Sequence, residues 1–195
     1  MIKKKTVYGS QISPYLKQIG ELRITVFREF PYLYDGSKEY EQKYLQKYVE
    51  SNESVAVLIF DNDRLVGAST GIPFQDEDED FKNPYKMQNY DLEKIFYCAE
   101  SILLPDYRGL GIYSHFFSER EHHAKTLGRF NLITFCAVQR EKSHPLLPEN
   151  YTPLDPVWRK YGYKQQTELR AYFPWKDINK SKESKKEMIF WTKEL

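Results

Sequence analysis

Leu103-Leu104-Pro105-Asp106-Tyr107-Arg108-Gly109-Leu110-Gly111-Ile112-Tyr113-Ser114 is the stretch on which the reading of this chain turns. The apolar run from Lys94 to Leu104 ends at Pro105, and a glycine-containing turn follows. Apolar residues then fall at Ile112, Phe116, Phe117 and Leu127, a helical spacing that Gly128 is placed to close. The segment therefore reads as strand, tight turn, helix start. The first turn of a helix carries backbone N–H groups without intrahelical acceptors, and the helix dipole adds partial positive charge there. An anion such as a pyrophosphate binds well at that point. Gly109 and Gly111 put no Cβ between the backbone and such a ligand, and Arg108 adds a formal charge. A bare Gly-x-Gly turn is weak on its own, but its surroundings narrow it. The Gly-Lys-Ser/Thr of a P-loop is missing, which disfavours a nucleotide triphosphatase. The three glycines and the acidic residue of a dinucleotide fold are missing too.

Upstream, Ser13-Pro14 reads as a helix start, with serine as cap and proline in the first helical position. Tyr15, Ile19, Leu22 and Val26 recur at three- and four-residue steps, so a helix is expected to run to about Phe30, where Pro31 stops it. Ser37 opens a second helix, with Glu39 and Glu41 in its first turn and Tyr40, Tyr44 and Tyr48 along one stripe. The period then changes. Val55 to Phe60 is a continuous β-prone run, Asp61-Asn62-Asp63 a turn, and Leu65 to Ile72 a returning strand, which together predict a hairpin. Gln75 to Glu93 is polar, carries Asn83-Pro84 and is expected to be a long loop.

Downstream of the glycine turn, Phe130 to Val138 reads as a strand and Pro145 to Pro156 as a proline-rich loop. Val157 to Tyr161 reads as a short helical turn ended by Gly162, followed by strands over Tyr163–Phe173 and Glu187–Lys193. The order α-α-β-β-β-α-β-α-β-β shows no internal repeat and no linker, so residues 1–195 are expected to form one mixed α/β domain.

Composition sets the outer bounds. With 29 basic residues against 28 acidic ones, the formal charge is +1 and no basic surface for nucleic acid is expected. The only basic cluster near an end, Lys180 to Lys186, is broken by Glu183. No apolar run reaches about 18 residues, so no membrane span is expected. Met1-Ile2-Lys3-Lys4-Lys5 lacks the apolar stretch of a secretory signal, which makes the cytoplasm the expected location. Cys98 and Cys136 each sit in an apolar run, as reduced core thiols do, and no Cys or His pair has metal-ligand spacing. The sixteen tyrosines and twelve phenylalanines fit either a core or a pocket wall, and composition does not choose between them.

Within this order of elements, Pro105-Asp106-Tyr107-Arg108-Gly109-Leu110-Gly111-Ile112 resembles the acyl-CoA pyrophosphate loop of the GNAT (N-acetyltransferase) superfamily, whose signature is Arg/Gln-x-x-Gly-x-Gly/Ala. Arg108 and Gly111 match its first two fixed positions. The resemblance takes in most of the chain: two N-terminal helices, the hairpin, the strand into the motif, and the closing Val157-Trp158-Arg159-Lys160-Tyr161-Gly162-Tyr163. Two positions depart from the pattern. Tyr113 stands where the family has Gly or Ala, so its side chain must swing clear of the phosphates. Trp158 stands where the family often has a tyrosine that protonates the departing thiolate, which an indole does not do.

The resemblance implies a GNAT acyl-CoA N-acyltransferase fold, with a mixed central sheet of about six to seven strands flanked by helices. It implies acetyl-CoA as acyl donor and direct attack by the amine of a small-molecule or peptide acceptor. A GNAT domain that holds acyl-CoA without turnover, or one that serves protein interaction, is the alternative. A homodimer is compatible with either. Ser101, Ile102 and Leu103 would pair with pantetheine as a pseudo-strand, and Arg108, Gly109, Leu110, Gly111, Ile112, Tyr113 and Ser114 would surround the pyrophosphate. Glu100, the one acid in its apolar run, is the expected general base. Tyr161, His144 and Tyr151 are the available donors for the thiolate. The turn between the first two helices, with Glu29, Phe30, Tyr32 and Tyr34, would border the acceptor, since aromatic rings with polar tips suit a selective wall.

Overall fold

The computed structural model describes residues 1–195. Val55, Ala56, Val57, Leu58 and Ile59 are all buried, so the strand that carries them has no solvent-facing side and needs cover on both. This is β2 (Val55–Asp61), which turns at Asn62-Asp63 into its antiparallel partner β3 (Arg64–Pro73). Asn62 takes a φ of 53°, a conformation its short polar side chain tolerates. Cover comes from α1 (Leu16–Phe27) and from α4 (Ile112–Thr126), both of which pack on β3. Helix α2 (Lys38–Glu50) lies against α1, burying Glu41, Leu45 and Tyr48, and the hydroxyl of Ser37 caps it by accepting from the Tyr40 amide at 3.2 Å.

The remaining strands are β1 (Ile2–Tyr8), β4 (Ile95–Tyr97), β5 (Ser101–Leu103), β6 (Leu132–Val138), β7 (Lys164–Trp175) and β8 (Ser184–Glu194). The sheet runs β1-β2-β3-β4-β6-β8-β7, with β5 attached to β3. Only the β4–β6 pair is parallel. The sheet thus has eight strands rather than six or seven. One addition is β1, whose exposed lysines hide its period in the sequence and suit an edge strand. The other arises because Lys94 to Leu104 breaks into β4 and β5.

Three helix boundaries also differ from expectation. A 3-10 helix over Gly9–Tyr15 contains Pro14, and α1 begins only at Leu16 and ends at Phe27, short of the cis Phe30-Pro31 bond. Gln75 to Glu93 is not a plain loop, since it holds α3 (Glu79–Met87). Phe81 and Tyr85, one turn apart, carry α3 inward: Phe81 lies 4.3 Å from the Phe173 ring, and Tyr85 lies 4.8 Å from Phe74 and 5.0 Å from Phe190. Glu79 pairs with Lys82 and Lys86 at 3.0 and 2.6 Å, and the acids at the start and Lys86 near the end suit the helix dipole. Pro145–Pro156 ends in α5 (Asp155–Lys160). Tyr48, Tyr85, Tyr97 and Tyr163 are all buried, so much of the aromatic excess is core. No helix is long and apolar enough to cross a membrane.

Candidate active site

The strand that leads into the glycine turn leaves its neighbour. β4 pairs with Leu132–Thr134 of β6, and the Cys98 amide donates to the Thr134 carbonyl at 2.7 Å. That is the last bond between them. β6 continues beside β8 to Val138, whereas β5 pairs with β3 alone, Ser101 opposite Ser69 and Leu103 opposite Gly67. The Glu100 carbonyl accepts from the Thr70 amide at 3.2 Å, and the Leu104 amide donates to Val66 at 3.0 Å. Strand alternation then turns the backbone groups of Ser101 and Leu103 away from β3, into the gap beside β6. It turns those of Ile102 toward β3, so Ile102 is not a residue of the open edge, contrary to expectation.

Side chains hold the break at residues 98–100 in place. Arg120 of α4, 2% exposed, donates from Nη1 to the Glu100 carbonyl at 3.1 Å and to the Thr70 carbonyl at 3.3 Å. The Ser69 hydroxyl donates to the same Glu100 carbonyl at 2.8 Å. The Glu100 carboxylate is itself buried and engaged on both oxygens: Oε1 accepts from Thr70 Oγ1 at 2.8 Å, and Oε2 pairs with Arg23 Nη1. Arg23 Nε pairs with Glu41, giving a buried Glu41–Arg23–Glu100 triad. Burial works against the charge on Arg23, but Glu100 and Glu41 outweigh it and hold the guanidinium above its ordinary pKa.

Beyond Leu104 the chain makes the turn. Gly109 and Gly111 have φ of 77° and 76°, the left-handed region, and Gly111 caps α4 without any side-chain bond. A Cβ at either glycine would meet no protein atom within 4 Å. Glycine is thus required by the backbone angle, and the space beyond it is free. The amides of Gly109, Leu110, Gly111, Ile112 and Tyr113 donate to no protein acceptor. Successive free amides in such a turn form an anion cradle.

The flanking side chains do not all face that cradle. Arg108 donates from Nε to the Leu103 carbonyl at 3.1 Å and pairs with Glu29 at 2.9 Å, so it ties the turn to the open strand and to the α1–α2 loop. Leu110 is exposed, Ile112 is buried, and the Ser114 hydroxyl donates to the Gly111 carbonyl at 2.6 Å. Tyr113 swings clear of the amides. Its hydroxyl donates to the Ser101 carbonyl at 2.8 Å and its ring packs 6.0 and 5.9 Å from Phe116 and Phe117. Burial pushes its pKa up to about 12.

The α1–α2 loop reaches the same gap only in part. Arg140 donates at 2.8 Å to the carbonyls of both Pro31 and Tyr32, and it pairs with Asp177 at 2.8 Å. Trp175 Nε1 also donates to the Tyr32 carbonyl, at 3.0 Å. Phe30 meets His144 and Tyr151, with ring centroids 5.7 and 4.7 Å apart, which brings two expected donors to one expected wall residue. The Tyr34 ring lies 6.5 Å from that of Tyr40, and its hydroxyl faces Glu41 of the buried triad. Tyr161 stacks on Phe117 at 4.3 Å, and Trp158 packs 5.1 Å from both Phe135 and Trp191. Of the five consecutive acids Asp76 to Asp80, four are engaged in internal contacts: Asp76 with Ser51, Glu77 with Lys47 and Tyr48, Asp78 with Lys47, and Glu79 with Lys82 and Lys86.

No family model and no curated protein matches the sequence. Solved structures do match the fold. A ribosomal-protein-alanine N-acetyltransferase from Brucella melitensis aligns over 100% of this chain and 99% of its own at 10% identity, with a TM-score of 0.61. A GNAT-family acetyltransferase from Streptococcus pneumoniae aligns over 100% of both chains at 11% identity and 0.60. A GNAT family acetyltransferase from Elizabethkingia anophelis, with acetyl-CoA bound, aligns over 100% of this chain and 98% of its own at 15% identity and 0.55. The chain has the GNAT fold. Several residues that shape the site in this GNAT fold were not picked out in the sequence: Arg23, Arg120, Arg140 and Asp177. A signal existed for two of them. Arg23 interrupts the apolar positions Ile19, Leu22 and Val26, and Arg120 falls between Phe116 and Ala124 on the buried stripe of α4.

Proposed function

We propose that this protein transfers an acetyl group from acetyl-CoA to an amine, by direct attack of the amine on the thioester. One observation supports the reading: the gap between β5 and β6, opened where the chain leaves β6 after Cys98, runs into five consecutive amides without protein acceptors. The residues present fit the donor. The amides of Gly109 to Tyr113 would hold the diphosphate, and the N–H groups of Ser101 and Leu103 point into the gap where an amide-containing arm pairs. The acetyl-CoA-bound structural relative supports acetyl-CoA as that donor. When bound, it supplies the activated acyl group. This chain's residues orient it: Arg120 and Glu100 hold the break that opens the gap, and Phe30 and Tyr32 border the acceptor. A strand N–H aimed at the thioester oxygen would stabilise developing negative charge. Glu100, with both oxygens engaged, is assigned to holding the break through Arg23 and Thr70, and the proton of the amine passes to solvent.

A second reading, a GNAT domain without cofactor, is favoured by one contact. The phenol of Tyr113 already occupies the Ser101 carbonyl, an acceptor that a bound arm would use. Thermal melting with acetyl-CoA separates the two. Binding at about 100 times the dissociation constant stabilises by about 2.7 kcal/mol, whereas a domain without cofactor shows no shift at millimolar ligand. Thiol release over a panel of small and peptide amines then tests turnover.

A further inference from the structure

The N–H groups of Ser101 and Leu103 both face the gap, but what stands behind them differs. Each belongs to a trans peptide whose carbonyl points the opposite way, toward β3. Behind the Leu103 N–H is the Ile102 carbonyl, which pairs in the ladder with β3 and takes no side-chain donor. Behind the Ser101 N–H is the Glu100 carbonyl, which accepts from three groups: Ser69 Oγ at 2.8 Å, Arg120 Nη1 at 3.1 Å and the Thr70 amide at 3.2 Å. A carbonyl oxygen has two lone pairs, and the serine and the amide alone would fill them.

The third donor brings a charge that the break does not need. Arg120 is buried, its Nη1 meets only the carbonyls of Glu100 and Thr70, and its Nε has no acceptor. The Thr70 carbonyl already accepts from the Ala99 amide at 3.0 Å. No carboxylate pairs with Arg120, and its guanidinium lies 5.5 Å from the Phe117 ring. An arginine stays protonated in a protein, and a buried cation without an anion is costly. Its charge falls on the oxygen end of the Glu100–Ser101 peptide. Donors at a peptide oxygen draw electron density from the nitrogen, and bonds in a chain strengthen one another by about 10–30% each. The Ser101 N–H is thus the stronger of the two donors in the gap. It also lies farther from the cradle. An arm anchored by its diphosphate at Gly109–Tyr113 passes Leu103 first, and its thioester end comes to Ser101.

We infer that the Ser101 N–H holds the oxyanion, and that Arg120 and Ser69 are positioning residues that orient and polarise it through the Glu100 carbonyl. The inference rests on the acyl-transfer reading given above. The amine lone pair forms the bond to the acyl carbon, and the carbonyl π pair moves to oxygen, where the Ser101 N–H meets it. The pair then returns, and the carbon–sulfur bond breaks with its electrons on sulfur. The surplus amine proton leaves to solvent, and the thiolate takes a proton from water.

Ser69→Ala removes one donor from the Glu100 carbonyl and little else, and Arg120→Met removes the cation. Infrared difference spectra of acetyl-CoA carrying 13C at the acyl carbon, bound without amine, read the bond to the thioester oxygen. In the unaltered protein the carbonyl band is expected below its position in free acetyl-CoA, and in each variant it is expected to move back toward that position. Thiol release is followed over spermidine, a lysine peptide and benzylamine. In Ser69→Ala, kcat is expected to fall by about three- to tenfold, a part of the about 10²–10³-fold that loss of a whole oxyanion donor costs. The acetyl-CoA dissociation constant, read by calorimetric titration, is expected to stay within about twofold. An unmoved band in Ser69→Ala overturns the inference, whether or not Arg120→Met folds. So does an unchanged kcat, or a dissociation constant that rises as far as kcat falls, which marks residues that only hold the break. Absence of any bound band and of any thermal shift with acetyl-CoA in the unaltered protein instead overturns the acyl-transfer reading itself.

Discussion

Replacing Glu100 by glutamine separates a structural carboxylate from a catalytic one. In the folded protein Glu100 Oε2 pairs with Arg23 and Oε1 accepts from Thr70 Oγ1 at 2.8 Å. Glutamine keeps the shape and one acceptor oxygen, which can still serve Thr70, but it turns an amide NH₂ toward the guanidinium. One charge-assisted bond is lost, an effect of about 1.5–3 kcal/mol. Full removal of a buried charge's partner costs about 3–5 kcal/mol, and the lower range applies here because Arg23 keeps Glu41. For a chain of this size each kcal/mol moves the melting point by about 2–4 °C, so a fall of about 3–12 °C is expected by calorimetry. Arg23→Met should cost more, since it leaves two buried carboxylates without their cation. Thiol release by folded Glu100→Gln should fall less than about tenfold, short of the range for loss of a general base. A variant that melts within about 1 °C of the parent yet loses turnover by two orders of magnitude would restore Glu100 as the base and refute the structural assignment.

Gly111→Val places a β-branched residue at a φ of 76°, strain of about 1–3 kcal/mol that is relieved by reshaping the turn. Acetyl-CoA affinity, measured by calorimetric titration, should fall at least about tenfold, the equivalent of about 1.4 kcal/mol. Burial raises the Cys98 thiol and pushes Cys136 up to about 12, so neither should react with a thiol reagent at pH 8 until the protein unfolds, when both should. For Asp177, burial acts to raise the pKa, but Arg140 and Lys186 outweigh it and leave it below the ordinary value. Its stabilising contribution should therefore be present above the usual carboxylate pKa of about 4 and vanish as pH falls through the depressed value. Asp177→Asn should flatten that acid limb of the melting-point profile, and an unaltered limb would count against the Arg140 network.

The elements that bury a regular apolar face were readable from the sequence. The β2–β3 hairpin, α2 with its serine cap, and the turn into α4 stand where periodicity and capping chemistry put them. What was not readable depends on contacts between distant residues. β1 is mostly lysine on its exposed side and becomes a strand because β2 offers an edge. Phe81 and Tyr85 mark α3, but a proline and a run of acids concealed the pattern until Phe173 and Phe190 gave those rings somewhere to pack. Glu100 illustrates the limit at the site. A lone acid in an apolar run signals a committed carboxylate, and only the fold reveals that Arg23 and Thr70 have claimed it.

Side-chain donors explain why the open strand can exist in a sheet that is otherwise zipped. A strand that leaves its partner strands backbone polar groups, and their desolvation is costly unless something bonds them. Here Arg120 bonds the Glu100 carbonyl at the break, Tyr113 the Ser101 carbonyl, and Arg108 the Leu103 carbonyl. Three carbonyls along the break and the open strand are thus bonded by side chains from the turn or from α4. The outward amides of Ser101 and Leu103 have no such partner, nor do the five amides of the turn. A path whose acceptors are filled and whose donors are free selects a ligand rich in acceptors. A diphosphate joined to an arm bearing carbonyl groups has that character, and the Tyr113 phenol on the Ser101 carbonyl is the one contact that such an arm would have to displace to pair fully.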